Sequence, residues 1–104
     1  MDKEELLQTV EQAAGEEATY LDLSGRDLGE LPAEIGQLTN LTELRLARNQ
    51  LTALPPEIGQ LTNLTRLNLS SNRLTSLPAE IGQLTNLTVL HLTKRRLRSA
   101  SSPT

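Results

Sequence analysis

The 104-residue chain contains no cysteine, no phenylalanine and no tryptophan. The absence of cysteine excludes disulfides, thiolate zinc sites and cysteine nucleophiles. No apolar run approaches the roughly 20 residues that a membrane-spanning helix needs, and the acidic N-terminus lacks the basic and then apolar order of a secretory signal. From these absences we expect a cytoplasmic domain without a membrane partner.

Leucine dominates the apolar residues that remain. It occupies 23 positions, whereas Tyr20 is the only aromatic residue. Protein cores normally combine large and small apolar side chains of different shapes. A core built almost wholly of one residue type indicates layers of the same shape, so the composition points to a stack of identical units.

The sequence repeats with a period of 23 residues, because Glu-Ile-Gly-Gln-Leu-Thr-Asn starts at Glu34, Glu57 and Glu80. Alignment on this period gives three full units, 18–40, 41–63 and 64–86. A fourth unit begins at Leu87 and is truncated. The predicted organisation is an N-terminal amphipathic capping helix, a repeat region and a flexible tail, at 1–17, 18–98 and 99–104.

Each unit contains a short alternating pattern, as at Leu44 and Leu46 around Arg45. This alternation predicts a strand that directs its leucines inward and the residue between them to solvent. Equivalent strands are predicted to centre on Asp22, Asn68 and His91. A fixed period stacks such strands at about 4.8 Å as a parallel sheet, and the proline and glycine of each return segment prevent a long helix there.

Residues 41–63 show the full pattern L-x-x-L-x-L-x-x-N-x-L-x-x-L-P-x-E-I-G-Q-L-T-N. From Ala18 to Leu97 the chain resembles the leucine-rich-repeat family, and its L-P-x-E-I-G-x-L segment is similar to the repeats of Ras-suppressor-like proteins and bacterial Roco regulators. The resemblance implies an α/β solenoid, a right-handed superhelix with a short parallel β-sheet on its concave side. It also implies protein binding, the role of such repeats in that subclass.

Asn49 and Asn72 follow the strands of the second and third units, where the chain must turn inside the stack. Because an amide both donates and accepts hydrogen bonds, each side chain is expected to bond backbone groups of its own turn and of the adjacent one. Arg26 and Arg95 occupy the corresponding positions in the terminal units. We therefore predict a structural asparagine ladder of two rungs, in preference to ligand contact.

The first residues of the chain predict a helix. Asp2 and Glu5 have the spacing of a capping box, apolar residues then recur at helical intervals, and Gly15 ends the run. This helix is expected to cover Leu21 and Leu23 of the first unit as a cap. A dimerisation helix is the alternative.

The fourth unit departs from the family pattern, because Ser-Ala-Ser-Ser-Pro-Thr replaces the expected L-P-x-E-I-G segment. A solenoid needs its last apolar layer covered. We therefore expect the C-terminal end to meet a fold-back tail, a partner or another copy, and we favour a homodimer. The leucines predicted to make this contact are Leu84, Leu87, Leu90, Leu92 and Leu97.

Charge is distributed unevenly, with an acidic N-terminal region and a basic run from Lys94 to Arg98. Such a run can contact nucleic acid or anionic lipid. We prefer a solvated segment, or one that meets the acidic region of another copy, and we expect no nucleic-acid partner.

The second and third units agree at 16 of 23 positions, and four of the seven differences, at 43, 45, 47 and 48, lie on or beside the outward strand face. The residues of the scaffold are the same in both units, whereas those of the concave face differ. This contrast predicts that the concave face is a partner-binding surface. Alternatively, these are polar residues without a binding role. In that case Glu43 could pair with Arg66, or Asp22 with Arg45, across neighbouring strands. The predicted binding residues are Tyr20, Asp22, Glu43, Arg45, Arg48, Arg66, Asn68, Ser70, Val89, His91 and Lys94.

Catalysis is not predicted. His91 is the only histidine, and in the stack it would lie three strands from Asp22, about 14 Å away, too far for a Ser-His-Asp triad. A metal site would lack a second histidine and any cysteine, so no metal and no cofactor are expected. The predicted function is binding of a protein or peptide; the alternatives are self-assembly through the C-terminal end, or a truncated fragment of a larger regulatory protein.

Overall fold

The computed structural model of the protein describes residues 1–92. The predictions for Leu97, the basic run from Lys94 to Arg98 and the flexible tail at 99–104 therefore lie outside the described residues. Within residues 1–92 the chain forms a helix and four strands, at Lys3–Gly15 (α1), Tyr20–Asp22 (β1), Glu43–Arg45 (β2), Arg66–Asn68 (β3) and Val89–His91 (β4). Short 3-10 turns separate successive strands, at Ala33–Gln37, Pro56–Gln60 and Ala79–Gln83.

The four strands form one parallel sheet in the order β1-β2-β3-β4. Each strand residue lies opposite the residue 23 positions later, as Leu44 does opposite Leu67. This arrangement confirms the predicted solenoid with a parallel sheet on one side. The constant offset follows from the constant repeat length, because equal units can stack only in one register.

The predicted strand centres at Asp22, Arg45, Asn68 and His91 are wrong by one residue. The strands centre instead on Leu21, Leu44, Leu67 and Leu90. Pairing begins early because the Thr19 carbonyl already accepts the N–H groups of Thr42 and Glu43, at 2.7 and 3.2 Å. Side-chain alternation identifies the inward leucines, but it does not fix where backbone pairing starts.

Helix α1 starts at a capping box, as predicted. The Asp2 carboxylate accepts the Glu5 N–H at 2.8 Å, and the Glu5 carboxylate accepts the Asp2 N–H at 3.1 Å. These two bonds satisfy donors that a helix N-terminus otherwise leaves without a partner. The helix ends at Gly15, and Glu17 then adopts a left-handed φ of 53°.

One face of α1 joins the core of the solenoid. Leu6, Val10 and Ala13 are buried in the same apolar cluster as the leucines of the first unit, and α1 packs against the first 3-10 turn. Leu23 is 1% exposed, whereas Leu21 remains half-buried. The predicted N-terminal cap is confirmed, and it covers Leu23 more completely than Leu21.

The core is a column of leucine side chains that passes through the units. Burial is greatest in the second unit, where five leucines are 0% exposed: Leu41, Leu44, Leu46, Leu51 and Leu61. Each fully buried leucine contributes about 1.5–3 kcal/mol, and the neighbouring units on both sides make that burial possible. Burial declines toward β4, where Leu90 is 37% exposed.

Asn49 joins the turn of the second unit to that of the first. Its side chain is 6% exposed. Its Oδ1 accepts the N–H groups of Arg26 and Leu28, both at 3.0 Å. Its Nδ2 donates to the carbonyls of Leu23 and Leu46, also at 3.0 Å. One amide thus satisfies four backbone groups of two units.

Asn72 repeats this geometry one unit later. Its Oδ1 accepts the Leu51 N–H at 3.0 Å, and its Nδ2 donates to the carbonyls of Leu46 and Leu69 at 2.8 and 3.1 Å. Both asparagines are buried polar residues. Together they link the turns of three successive units.

A row of threonines forms a second ladder at the entrance to the strands. Each hydroxyl donates to the carbonyl of the threonine one unit earlier. The bonds run from Thr42 to Thr19 at 3.1 Å, from Thr65 to Thr42 at 3.0 Å and from Thr88 to Thr65 at 3.1 Å. This row was not predicted, although the recurrence of threonine at one position of every unit is the sequence signal for it.

A third set of bonds lies on the exposed side of the turns that precede the strands. The Asn63 amide donates to the Thr39 carbonyl at 3.0 Å, and the Asn86 amide donates to the Thr62 carbonyl at 2.8 Å. These bonds also join each unit to the one before it. Because they are exposed to water, each contributes less than a buried bond of the same geometry.

The second 3-10 turn stacks so closely on the third that the position of Gly59 has no room for a side chain. A Cβ at Gly59 would lie 2.8 Å from the Glu80 carbonyl oxygen and 2.6 Å from Gln83 Oε1. At Gly82, the equivalent position one unit later, a Cβ would meet no atom of residues 1–92 within 4 Å. The requirement for glycine therefore comes from the next unit in the stack, and not from the turn itself.

Asn72→Ala should destabilise the fold by about 3 kcal/mol, since it removes the partners of several backbone groups in a buried turn. Asn63→Ala is the matched control, because it removes one exposed bond, and its cost should stay below about 1 kcal/mol. Urea unfolding followed by circular dichroism measures both free energies. Equal losses in the two variants would show that the buried ladder has no special role.

Gly59→Ala should lower the free energy of unfolding by about 1–3 kcal/mol, because the added methyl group forces apart two stacked turns. Gly82→Ala should cause no loss, and it can gain up to about 1 kcal/mol through a less flexible unfolded chain. The same urea titration compares them. A loss at Gly82 as large as that at Gly59 contradicts the stacking explanation.

Candidate functional site

The outward side chains of the sheet form two parallel rows. The strand register aligns Tyr20, Glu43, Arg66 and Val89 in the first row and Asp22, Arg45, Asn68 and His91 in the second. We call these eight residues the concave face. Between the rows the central leucines point inward, with Leu44 and Leu67 at 0% and 1% exposure. Eight of the predicted binding residues are thus brought together on one surface.

Glu43 and Arg45 form an ion pair along β2. The Arg45 Nε donates to Glu43 Oε2 at 2.8 Å, and this hydrogen bond raises the pKa of the Arg45 guanidinium. The alternative pairing of Glu43 with Arg66 across strands is not formed, because the carboxylate is held by Arg45 on its own strand. The charges of β2 therefore largely cancel.

Arg66 lies on β3 beside this pair and is exposed. Within residues 1–92 it makes no ion pair, since the salt bridges there join Arg45 to Glu43 and Lys3 to Glu30. Its neighbour on the same strand, Asn68, uses Oδ1 to accept the Ser70 N–H at 3.0 Å. Arg66 is thus a cation on the concave face without a charged partner in the described chain.

Asp22 supplies the negative charge of β1. The backbone N–H of Ser24, which donates to Asp22 Oδ1 at 2.9 Å, lowers the pKa of Asp22 below its usual value, and the Ser24 hydroxyl, Arg45 and Tyr20 lower it further. Burial acts in the opposite direction. The alternative Asp22–Arg45 salt bridge is not formed at 4 Å or less, so the two residues interact only through longer-range attraction.

Tyr20 stands at the edge of the face on β1. It is 50% exposed, and its hydroxyl donates weakly to Asp22 Oδ2 at 3.4 Å. A half-exposed tyrosine held beside a carboxylate can present its ring to a partner at low entropic cost.

Arg48 and Ser70, the other predicted binding residues within the described chain, follow the strands. Arg48 has a left-handed φ of 57°, as do Gly25 at 66° and Ser71 at 58°, which occupy the same repeat position. Only glycine adopts this conformation without strain. Gly25 is the sequence signal for this turn. The signal is absent from the later units, where Arg48 and Ser71 occupy the same repeat position.

A shallow depression lies between β2, β3 and β4. Its volume is about 40 Å³, far below the roughly 300–1,000 Å³ of small-molecule sites. Six outward residues line it: Glu43, Arg45, Arg66, Asn68, Val89 and His91. A surface of this shape suits part of a macromolecule better than a buried ligand.

Among residues 1–92, His91 and Asp22 lie on β4 and β1, at opposite edges of the sheet. The same part of the chain holds no group of three metal-binding side chains. None of its helices is long and apolar enough to cross a membrane.

The leucines at the C-terminal end differ in exposure. Leu84 is buried at 5%, Leu87 and Leu92 are half-buried against the core, and Leu90 is 37% exposed. Leu90 is therefore the most open of the four that lie within the described residues.

The chain is similar to known repeat proteins. A model described as a leucine-rich repeat region matches residues 18–102. The solved structure of a leucine-rich-repeat protein from Leptospira interrogans is 55% identical, with a TM-score of 0.72, over 73% of this chain and 19% of that chain. The chain spans about a fifth of the length of that protein. No curated protein matches it.

The pKa of Asp22 should lie below the usual value of about 3.9. Because the folded pKa is lower than the unfolded one, the bonds to Asp22 stabilise the fold above about pH 4 and are lost as the pH falls through the folded pKa. Carboxyl NMR titration measures this value. In Ser24→Ala the pKa should rise but stay depressed, because the backbone N–H remains. An ordinary pKa in the unmodified chain contradicts the assignment.

Proposed function

This chain belongs to the leucine-rich-repeat family, and we propose that it is a non-catalytic module that binds a protein or peptide partner through its concave face. Members of the family generally mediate protein–protein interactions. The shared fold does not itself establish a function. The proposal therefore depends on the surface of this chain.

The observation that carries the proposal is the contrast between a fixed frame and a variable surface. Asparagine and threonine ladders join the units at the same repeat positions. On that frame, Glu43 and Arg45 of β2 are replaced by Arg66 and Asn68 at the same register positions of β3. A frame that holds different side chains at fixed spacing is preorganised, which lowers the entropic cost of binding.

The size and chemistry of the surface favour a macromolecular partner. The depression among the strands is too shallow to enclose a small molecule. The face combines an exposed tyrosine with arginine, and these residue types supply many of the strongest contacts in protein interfaces. A single aromatic anchor favours a modest affinity.

A charge reversal tests this function. The double variant Arg45→Glu and Arg66→Glu should abolish capture of a partner from native lysate, because it inverts the charge at the centre of the face. The matched control, Arg26→Glu with Arg73→Glu, changes the net charge equally at exposed positions outside the strands. Capture that survives the first variant, or is lost equally in both, would remove the concave face from consideration.

A second function is favoured by the apolar surface at the C-terminal end of residues 1–92. Leu90 is exposed, and a Cβ at Gly82 would have no neighbour within 4 Å among residues 1–92, so another copy of the chain could pack there as a further unit would. Under this function the protein forms a homodimer through its C-terminal leucines. The concave face would then have no role in the association.

Sedimentation separates the two functions within the same experiment. Leu90→Asp should convert a dimer to a monomer while leaving partner capture intact, whereas the arginine reversal should leave the oligomeric state unchanged. If the chain sediments only as a monomer at micromolar concentration, the proposed homodimer is wrong.

A further inference from the structure

The charges of the concave face change sign across the sheet. β1 carries the Asp22 carboxylate, β2 carries the paired Glu43 and Arg45, and β3 carries Arg66. The sequence of charges from β1 to β3 is therefore negative, neutral and positive. The formal charge of the whole chain, −3, does not reveal this local polarity.

The positive pole is open to a ligand. Arg66 is exposed and lies beside the depression. The nearest acidic residue in its row, Glu43, is occupied by Arg45 at 2.8 Å. A guanidinium presents a planar set of donors that matches the two oxygens of a carboxylate. Arg66 can therefore donate hydrogen bonds to an acidic side chain of a ligand, and no salt bridge within residues 1–92 has to break first.

The negative pole is fixed and ionised. The Ser24 N–H holds Asp22 Oδ1 at 2.9 Å, and the lowered pKa keeps the carboxylate charged at neutral pH. The side chain remains exposed. Arg48, the other cation near this edge, follows β2 and lies over Gly25, beyond the end of the strand.

We propose that the concave face binds an extended peptide segment with one acidic and one basic side chain three residues apart, the acidic one on Arg66 and the basic one on Asp22. The proposal rests on the function assigned above and adds the chemistry of the partner. Asp22 and Arg66 lie two strand spacings apart, about 10 Å, and in different rows, about 7 Å apart along the strands, so their Cα atoms are separated by about 12 Å. Three residues of a polyproline II segment span about 9 Å and return the side chain to the same side, and the flexible acidic and basic side chains of the peptide cover the remaining distance.

The same polarity argues against other ligands. A wholly acidic peptide would place carboxylates near Asp22, and a polyphosphate chain would meet Asp22 and Glu43 as well as Arg66. Juxtaposed like charges oppose binding. A segment with both signs at the matching spacing avoids that repulsion.

Synthetic peptides test the spacing directly. The probe is acetyl-Gly-Ser-Glu-Pro-Pro-Lys-Ser-Gly-amide, and the control of equal composition is acetyl-Gly-Ser-Pro-Glu-Lys-Pro-Ser-Gly-amide, in which the charges are adjacent. Titrations of the ¹⁵N-labelled chain monitored by NMR should give a Kd roughly fivefold lower for the probe, as expected for two exposed ion pairs. Shifts should appear on both β1 and β3.

Three variants test which residues of the chain bind the probe peptide. Arg66→Gln should reduce the affinity for the probe to that of the control peptide, while Arg73→Gln, at an exposed position outside the strands, should leave it unchanged. Asp22→Lys should reverse the preference, so that a peptide with Glu-Pro-Pro-Glu binds more tightly than the probe. An unchanged amide spectrum outside the face shows that each variant is folded.

Several outcomes overturn the proposal: equal affinity for probe and control, tighter binding of Glu-Pro-Pro-Glu by the unmodified chain, binding insensitive to Arg66→Gln, or no peptide binding at all. None of these outcomes determines the result of the capture experiment with Arg45→Glu and Arg66→Glu. If capture depends on Arg45 and Arg66 while the peptides fail, the interaction function stands and only the bipolar peptide is rejected.

Discussion

The structure depends on one constraint, that buried backbone groups at each turn must find partners in the next unit. A 23-residue unit leaves N–H and C=O groups inside the stack, where unpaired polar groups are costly. Asn49 and Asn72 meet this need by bonding two units at once. The threonine ladder does the same at the other end of each strand. Neither the sheet nor the leucine column could form if the units shifted in register.

The same constraint explains which residues are free to vary. Inward leucines and the ladder residues have partners at fixed distances, so they are the same in the second and third units. The residues of the concave face point away from those contacts, and their interactions are local: Arg45 bonds Glu43 on its own strand, and Asp22 bonds the next turn through Ser24. The surface can therefore carry a polarity from β1 to β3 without affecting the stack beneath it.

Within residues 1–92 the two ends of the stack differ, because a dedicated element covers only the N-terminal one. Helix α1 places Leu6, Val10 and Ala13 where a preceding unit would lie. Toward β4, Leu90 remains exposed and Gly82 has no close neighbour in the described chain. A repeat protein derives most of its stability from contacts between neighbours, so the burial of each leucine depends on the number of units flanking it.

The sequence by itself determined the repeat length, the parallel sheet, the helix cap, the inward leucines and the roles expected for Asn49 and Asn72. These follow from periodicity, because residues 23 positions apart must occupy equivalent environments. Tertiary structure decided the rest: the choice of Arg45 over Arg66 as the partner of Glu43, the need for glycine at 59 but not at 82, and the left-handed turn at Arg48. Periodicity cannot distinguish among equivalent neighbours, since that outcome depends on which atoms lie within a few ångströms.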